Sequence, residues 1–336
     1  MKKYIPLVFL FIILSCTEKQ VQQPYYFEGN ALGTSYHIKA FPNKNSKKTE
    51  KKDIDSVITA VNNSLSTYQT NSLISRINKG EKVKVDQQFK DVYKAAQKIY
   101  AETGGLYDPT IGILVNAWGF GPTKKIENIE SNPKLIDSLK KYVGYHLIEI
   151  DPQGFLQKKY PQIYIDYNSI AKGYAIDRVG KMLNKKNINN YLVEIGGEVL
   201  VKGKNIKKNR QWLVAIDNPN RQSGNKFISK VALQNQAMAT SGNYRKFYID
   251  SKTGKKYVHT LNTKTGYPTQ SDLLSASVIA KNCTLADGYA TAFMTMGFKK
   301  SKDFLAKHPE LQAFFVYSDE QGNVKIYHTI DVKNIE

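Results

Sequence analysis

The chain has 336 residues and a formal net charge of +20, from 49 Lys and Arg against 29 Asp and Glu. That length supplies interior for one large domain or two small ones. A positive excess of this size suits nucleic acid, anionic lipid or a phosphorylated ligand. The lysines are scattered, however, as Lys44, Lys47, Lys48, Lys51 and Lys52, then Lys185 and Lys186, then Lys207 and Lys208, with no nucleic-acid motif among them. Nucleic acid is excluded as a partner on that ground, and most of the charge reads as a solvated face.

The start reads as an export signal. Lys2 and Lys3 precede an apolar run over residues 5–14, and Ser15-Cys16 follows. A basic head, a short apolar core and a small residue before the cut make a secretory leader, too short to remain as a span. Ile13-Leu14-Ser15-Cys16 resembles a bacterial lipobox, which would make Cys16 the lipidated first residue of the mature protein. The expected organisation is a signal peptide over 1–15, a lipidated tether over 16–28 and one domain over 29–336, anchored on the periplasmic, extracytoplasmic side of the cell envelope. Loss of Lys2 and Lys3 leaves +18. Cys283 is then the other cysteine of two, so no intrachain disulfide is expected, and its apolar surroundings read as those of a buried structural thiol.

Residues 31–40 alternate after Gly33 and read as a first strand. Ile54, Val57, Ile58, Val61 and Leu65 fall at helical spacing, and Ser66-Thr67-Tyr68 ends that helix. A further turn or two covers 72–77, and a second helix spans 87–103 and stops at Gly104-Gly105. Leu106-Tyr107-Asp108-Pro109-Thr110 breaks regular structure, and 116–122 is an aromatic, glycine-rich loop. A polar helix covers 132–143, and short strands follow at 146–150 and 154–157.

Ile163-Tyr164-Ile165-Asp166 reads as a strand ending on a carboxylate, followed by Tyr167-Asn168-Ser169 and a helix over 170–185. Strand, polar turn and helix aim backbone N–H groups at an anion, with Lys172 in the first turn to assist. Lys172 reads equally well as an ordinary exposed lysine. Gly196-Gly197 closes a hairpin, and 212–217 and 227–233 are further strands. Residues 238–244 read as a small-residue turn with paired hydroxyls. Strands at 247–250 and 257–261 bracket Thr253-Gly254, a turn covers 262–268, and a strand covers 275–280. A terminal hairpin pairs 311–317 with 324–328. Strands outnumber helices and cluster in hairpins, which predicts an α+β fold of mostly antiparallel sheet with packed helices.

The stretch Cys283-Thr284-Leu285-Ala286-Asp287-Gly288-Tyr289-Ala290-Thr291 reads as a buried helix carrying one carboxylate. Asp287 and Thr291 lie one turn apart on the same face. Together they offer two hard oxygens to a small dication such as Mg²⁺, which takes few protein ligands and completes its shell with phosphate oxygens. Thr284 and Asp287 also fit a capping box, in which Asp287 merely serves its own backbone. His259 is a candidate general base, since a neutral imidazole can take a proton from a hydroxyl near pH 7. Rossmann and P-loop fingerprints, serine-hydrolase elbows, paired zinc histidines and CxxC spacings are absent from the sequence.

Several stretches together resemble the ApbE family of FAD:protein FMN transferases, which attach FMN through a phosphoester to Ser or Thr of partner proteins. They are Leu32-Gly33-Thr34, Ser66-Thr67-Tyr68, Thr103 to Thr110, Asn116 to Gly121, Ile170 to Asp177, Ile195-Gly196-Gly197-Glu198, Ala239 to Tyr244, His259-Thr260-Leu261-Asn262 and Ala286 to Thr291. They occur in the family's order across most of the domain. Two departures stand out: Tyr-Asn-Ser after Asp166, where many members have a leucine and two small residues, and Leu-Asn-Thr after Thr260's neighbour His259, where many have Ile-Asp-Pro.

The resemblance implies a single large ApbE-like (T-fold-like) domain with FAD as substrate and Mg²⁺ or Mn²⁺ as metal. Tyr68 would pack against the flavin ring, with Leu32, Asp108, Pro109 and Thr110 lining the pocket. Asn168, Lys172, Tyr174 and Leu261 would hold the nucleotide. Asp287, Thr291 and the backbone carbonyl of Ala171 would bind the metal, and His259 would serve as base. The implied acceptors are subunits of membrane redox complexes. An FAD pyrophosphatase, releasing FMN and AMP, would use the same residues; a non-catalytic flavin-binding lipoprotein would need neither the metal ligands nor His259.

Overall fold

The computed structural model describes residues 23–219, 225–243, 247–249, 254 and 256–333. The leader and Cys16 lie outside these residues, as do Tyr244 and Thr253. In chain order the elements begin with strands β1 (Tyr25–Ala31) and β2 (Thr34–Ala40), then helices α1 (Lys51–Leu65), α2 (Leu73–Asn78), α3 (Gln87–Glu102), α4 (Gly112–Ala117) and α5 (Pro133–Lys140). Next come β3 (Ile148–Ile150), β4 (Leu156–Lys158), α6 (Ala171–Lys185), β5 (Tyr191–Ile195), β6 (Glu198–Lys202), β7 (Trp212–Asp217), β8 (Phe227–Leu233), β9 (Ala237–Gly242), β10 (Phe247–Ile249) and β11 (Lys256–Val258). The last are β12 (Leu273–Ala280), α7 (Cys283–Met296), α8 (Phe298–Lys307), β13 (Gln312–Ser318), β14 (Val324–His328) and β15 (Val332–Lys333).

An eight-stranded antiparallel sheet in the order β1-β2-β5-β6-β9-β12-β13-β14 forms the middle layer. Alternation along each strand sends its residues to opposite faces. Ala313 and Phe315 of β13 join the helices α1, α3, α6 and α7, whereas Phe314 and Val316 face the small sheet β15-β8-β7 with its Trp212, Val214 and Val231. This is the α+β, largely antiparallel single domain expected. A third cluster, with Leu114, Trp118, Phe120, Tyr257 and Leu261, holds the aromatic loop after α4 against the segment that follows β11.

Three local readings change. The first strand is a hairpin: Leu32 and Gly33 turn with φ of 52° and 76°, and Tyr25 pairs with Ala40. Residues 25–28 are therefore part of the sheet and not of a tether. Residues 237–242 are strand β9, not a turn; their small side chains lie in mid-sheet, paired with β6 and β12, because α7 packs on top. Residues 163–166 make no strand, only a single parallel bridge between Tyr164 and Ile111. Finally, α8 gave no sequence signal that set it apart from the end of α7; Gly297 at φ 78° separates the two.

Candidate functional site

The site begins where α6 and α7 cross. A Cβ added to Gly173 would lie 2.3 Å from the carbonyl oxygen of Cys283 and 2.9 Å from the Cβ of Asp287. Real side-chain contacts are never so short, so only glycine lets the two helices touch backbone to backbone. Asp177 of α6 fastens the same crossing from below. Its carboxylate accepts from the Cys283 and Thr284 amides, each at 2.8 Å, and from the Thr284 hydroxyl. Burial raises the pKa of Asp177, and these donors pull it back.

The α7 cap is Asn282, whose side chain accepts from the Leu285 amide. The capping-box reading of Thr284 and Asp287 therefore fails. Asp287 turns instead to the neighbouring helix, where its Oδ2 accepts from the Gly173 amide at 3.0 Å. It is 5% exposed. Burial pushes its pKa up to about 7, the charge of Glu198 adds to that, and Lys172 opposes it. Lys172 lies 2.6 Å from Glu198 Oε1, with Glu198 buried at the start of β6, just past the positive-φ pair Gly196-Gly197. One turn along α7, the Thr291 hydroxyl lies 3.3 Å from that of Ser241 on β9.

These groups face an open cleft with a cavity volume of about 280 Å³. Asp287, Thr291, Lys172 and Glu198 form its floor, Ser241 and Thr240 one wall. His259, Leu261, Pro109 and Phe120 line the other side, and Tyr68 stands at the mouth, 60% exposed. The Phe120 ring meets the His259 ring edge-on, at 6.5 Å between centroids. The segment carrying His259 is held by three bonds: Thr260 Oγ1 to Asn243, Thr263 Oγ1 to the Gly105 carbonyl, and Trp118 Nε1 to the Gly266 carbonyl. Asn168 donates to the Thr67 hydroxyl at 3.0 Å, tying the turn before α6 to the one that carries Tyr68.

The structure thus brings Tyr68, Asp108, Pro109, Asn168, Lys172, Leu261, Asp287, Thr291 and His259 to one cleft. It does not bring all the expected residues there. Leu32 lies in the β1–β2 turn beside Ile58 and Asn62, in a separate depression. Tyr174 points away along α6 and donates to Asp91 on α3 at 2.8 Å. Thr110 is fully buried, donating to Asp108 and accepting from the Gly144 amide. Asp108 accepts from the Thr110 amide and hydroxyl and from the Tyr145 amide, so this residue builds the loop that presents Pro109. The Ala171 side chain is buried beside the cleft floor, at the first residue of α6.

Glu198, Tyr107, Ser169 and Ser241 also line the cleft and had no assigned role. Ser169 donates to the Tyr107 hydroxyl at 3.1 Å. Glu198 and Ser241 were visible only as members of resembling stretches. Among the described residues no three His, Cys, Asp or Glu side chains converge on one point. One carboxylate, one hydroxyl and a helix-start carbonyl would make an all-oxygen set, which suits a hard dication such as Mg²⁺ or Mn²⁺ that shares its shell with phosphate.

Fold and cleft together define an α+β protein whose cleft floor, where α6, α7 and β6 meet, holds two buried carboxylates and a lysine, with a histidine among the other lining residues. Residues 32–315 match the model of the ApbE family. The FAD:protein FMN transferase of Haemophilus influenzae is 34% identical over 306 residues, spanning 88% of this chain and 87% of that relative. That of Vibrio cholerae is 34% identical over 304 residues, with 88% of each covered. Among solved structures, the flavin transferase ApbE from Vibrio cholerae matches with a TM-score of 0.81 at 30% identity, covering 91% of this chain and 97% of that one. The apo flavinyl transferase ApbE of Pseudomonas stutzeri matches with a TM-score of 0.78 at 28% identity, covering 91% and 95%. This chain belongs to the ApbE family, and it is an enzyme.

Proposed function

We propose that this enzyme transfers the FMN part of FAD to a Ser or Thr hydroxyl of an acceptor protein and releases AMP, with Mg²⁺ or Mn²⁺ bound at Asp287, Thr291 and the Ala171 carbonyl. The observation that carries the reading is the buried Asp287, held at the α6 start with its carboxylate facing the cleft and its pKa raised. A buried acid of that kind is stabilised by a cation, and the donor set fits a hard one. A bound dication would neutralise charge on the diphosphate. Lys172 then counters the remaining phosphate charge from the α6 side, with Glu198 fixing its ammonium in place. Tyr68 offers the isoalloxazine ring a face at the cleft mouth. His259 takes the acceptor proton as the hydroxyl oxygen bonds to the phosphorus on the riboflavin side. The phosphorus–oxygen bond to AMP breaks, and AMP keeps the electron pair.

We place the protein on the extracytoplasmic side of the envelope, lipidated at Cys16, with subunits of membrane redox complexes as acceptors; the leader and the lipobox resemblance support this. No helix among the described residues is long and apolar enough to cross a membrane. The test is incubation with FAD, Mg²⁺ and a soluble acceptor domain, read by mass spectrometry. An FMN adduct on the acceptor with one AMP per adduct is the expected result. Free FMN with no adduct would establish the hydrolase in its place.

A further inference from the structure

The lysines that are scattered in sequence are gathered in space. Tyr25, Ala40, Tyr191 and Lys202 lie on one rung across β1, β2, β5 and β6, so all four strands share one end. The loop after β2 docks there onto the C-terminus of α6: the Lys47 amide donates to the Lys186 carbonyl, and the Phe41 amide to that of Asn190. The loop after β6 joins them through the Lys204 amide, which donates to Asn190 Oδ1 at 3.0 Å. This end exposes Lys44, Lys47, Lys185, Lys207, Lys208 and Arg210. Its carboxylates are already engaged, Glu50 by Lys48 and Lys52 and Asp53 by Lys186. Amid the lysines stands Ile206, 39% exposed in the tip of the β6–β7 loop. Tyr26, 62% exposed, lies on the adjoining edge strand beneath Lys39.

The chain that precedes the sheet arrives at this same end, because Tyr25 is the outermost residue of β1 there. Tyr25 lies nine positions after Cys16, a reach of at most about 32 Å. We infer that the basic end is a docking surface for anionic phospholipid headgroups, with Ile206 entering the interface, and that it fixes the domain cleft-outward on the membrane. The inference rests on the anchoring reading above for its direction of approach. The cleft is at the opposite end of α6, whose 15 residues span about 22 Å. A domain seated on its lysines therefore holds Asp287 and His259 about that far above the headgroups, open to acceptors in the periplasm or standing proud of the bilayer.

The experiment uses the full-length chain with Cys16→Ser, so that no lipid is attached, and vesicles of phosphatidylcholine alone or with phosphatidylglycerol. The leader, with Lys2 and Lys3, adds its own preference for anionic vesicles, so the difference between the unsubstituted surface and its variants, which share that leader, reports the basic end. Anionic vesicles should be preferred roughly a hundredfold at low salt, and the preference should collapse at high salt. Lys44→Glu/Lys207→Glu/Lys208→Glu should remove most of it, whereas Lys124→Glu/Lys299→Glu/Lys300→Glu, reversing exposed lysines elsewhere, should remove little. Ile206→Ser should weaken binding several-fold at unchanged salt slope. Equal loss from both triple variants would reduce the effect to net charge and overturn the proposal. So would intact vesicle preference in the first triple variant, or a raised KM for acceptor with vesicle preference unchanged, which would assign this end to an acidic protein. Absence of lipid on wild-type Cys16, seen by mass, with the vesicle preference intact would remove the anchor and leave this surface standing.

Discussion

The two ends of α6 carry the same kinds of charge in opposite surroundings. At its C-terminus the half-buried Lys186 meets Asp53 at 2.6 Å, beside exposed pairs such as Lys48 with Glu50. At its N-terminus Lys172 meets Glu198 at the same distance, but Glu198 and Asp287 are buried. Exposed pairs are screened and individually worth little. Inside, each charge sets the protonation of the next, and loss of one member leaves the others unpaired. The outer end is therefore tolerant and works by sum; the inner end is intolerant and works by position.

The largest expected effect tests the inner end directly. Asp287→Ala should lower metal-dependent FMN transfer at least about a thousandfold, or roughly 4 kcal/mol of transition-state stabilisation, measured by adduct formation under saturating FAD. Next, Gly173→Ala should part the two helices. An added methyl within 2.3 Å of backbone should cost about 1–3 kcal/mol in denaturant unfolding and weaken metal binding as well. An unchanged metal affinity would show that the crossing does not position Asp287.

Protonation sharpens the contrast further. The pKa of Asp287 is raised, from 3.8 to about 7. Between those values the unfolded chain sheds its proton while the folded one keeps it, so metal-free stability should fall as pH rises from 4 to 7 and then level off. Asp287→Asn should abolish that fall, and at pH 8 without metal it should melt above the wild type. Mg²⁺ should raise the wild-type melting temperature and not the variant's. Lys172→Met removes the cation that holds the Asp287 pKa down, so the acid limb of the pH–rate profile should move to higher pH, with transfer at pH 7 reduced about 10–100-fold. At the other extreme, Lys44→Glu alone should leave the melting temperature within about 2 °C.

How far the sequence reveals this follows from how local each feature is. Asp287 and Thr291 are one helical turn apart, and such a pair is visible in any reading of that helix. The partner that turns Asp287 from a cap into a site donor is the Gly173 amide, 114 residues away, and no spacing rule reaches it. Strands β5, β6 and β7 are apolar, β-branched runs bounded by turn residues and were legible. Strand β9 was not, because its Ala, Thr, Ser and Gly residues look like a turn until α7 is laid across them. Leu32 and Tyr174 belong to stretches that resemble the family, but resemblance gives a stretch and not the direction of its side chains. The fold turns one into a hairpin corner and the other towards Asp91.

The backbone contact at Gly173 also has a temporal consequence. The cleft-facing carboxylate stands more than a hundred residues from its amide partner and the lysine, and the helix that carries it is completed only at Met296. A chain still being made possesses none of the assembled floor. Such a polypeptide leaves the cell's own FAD untouched until the whole domain has closed.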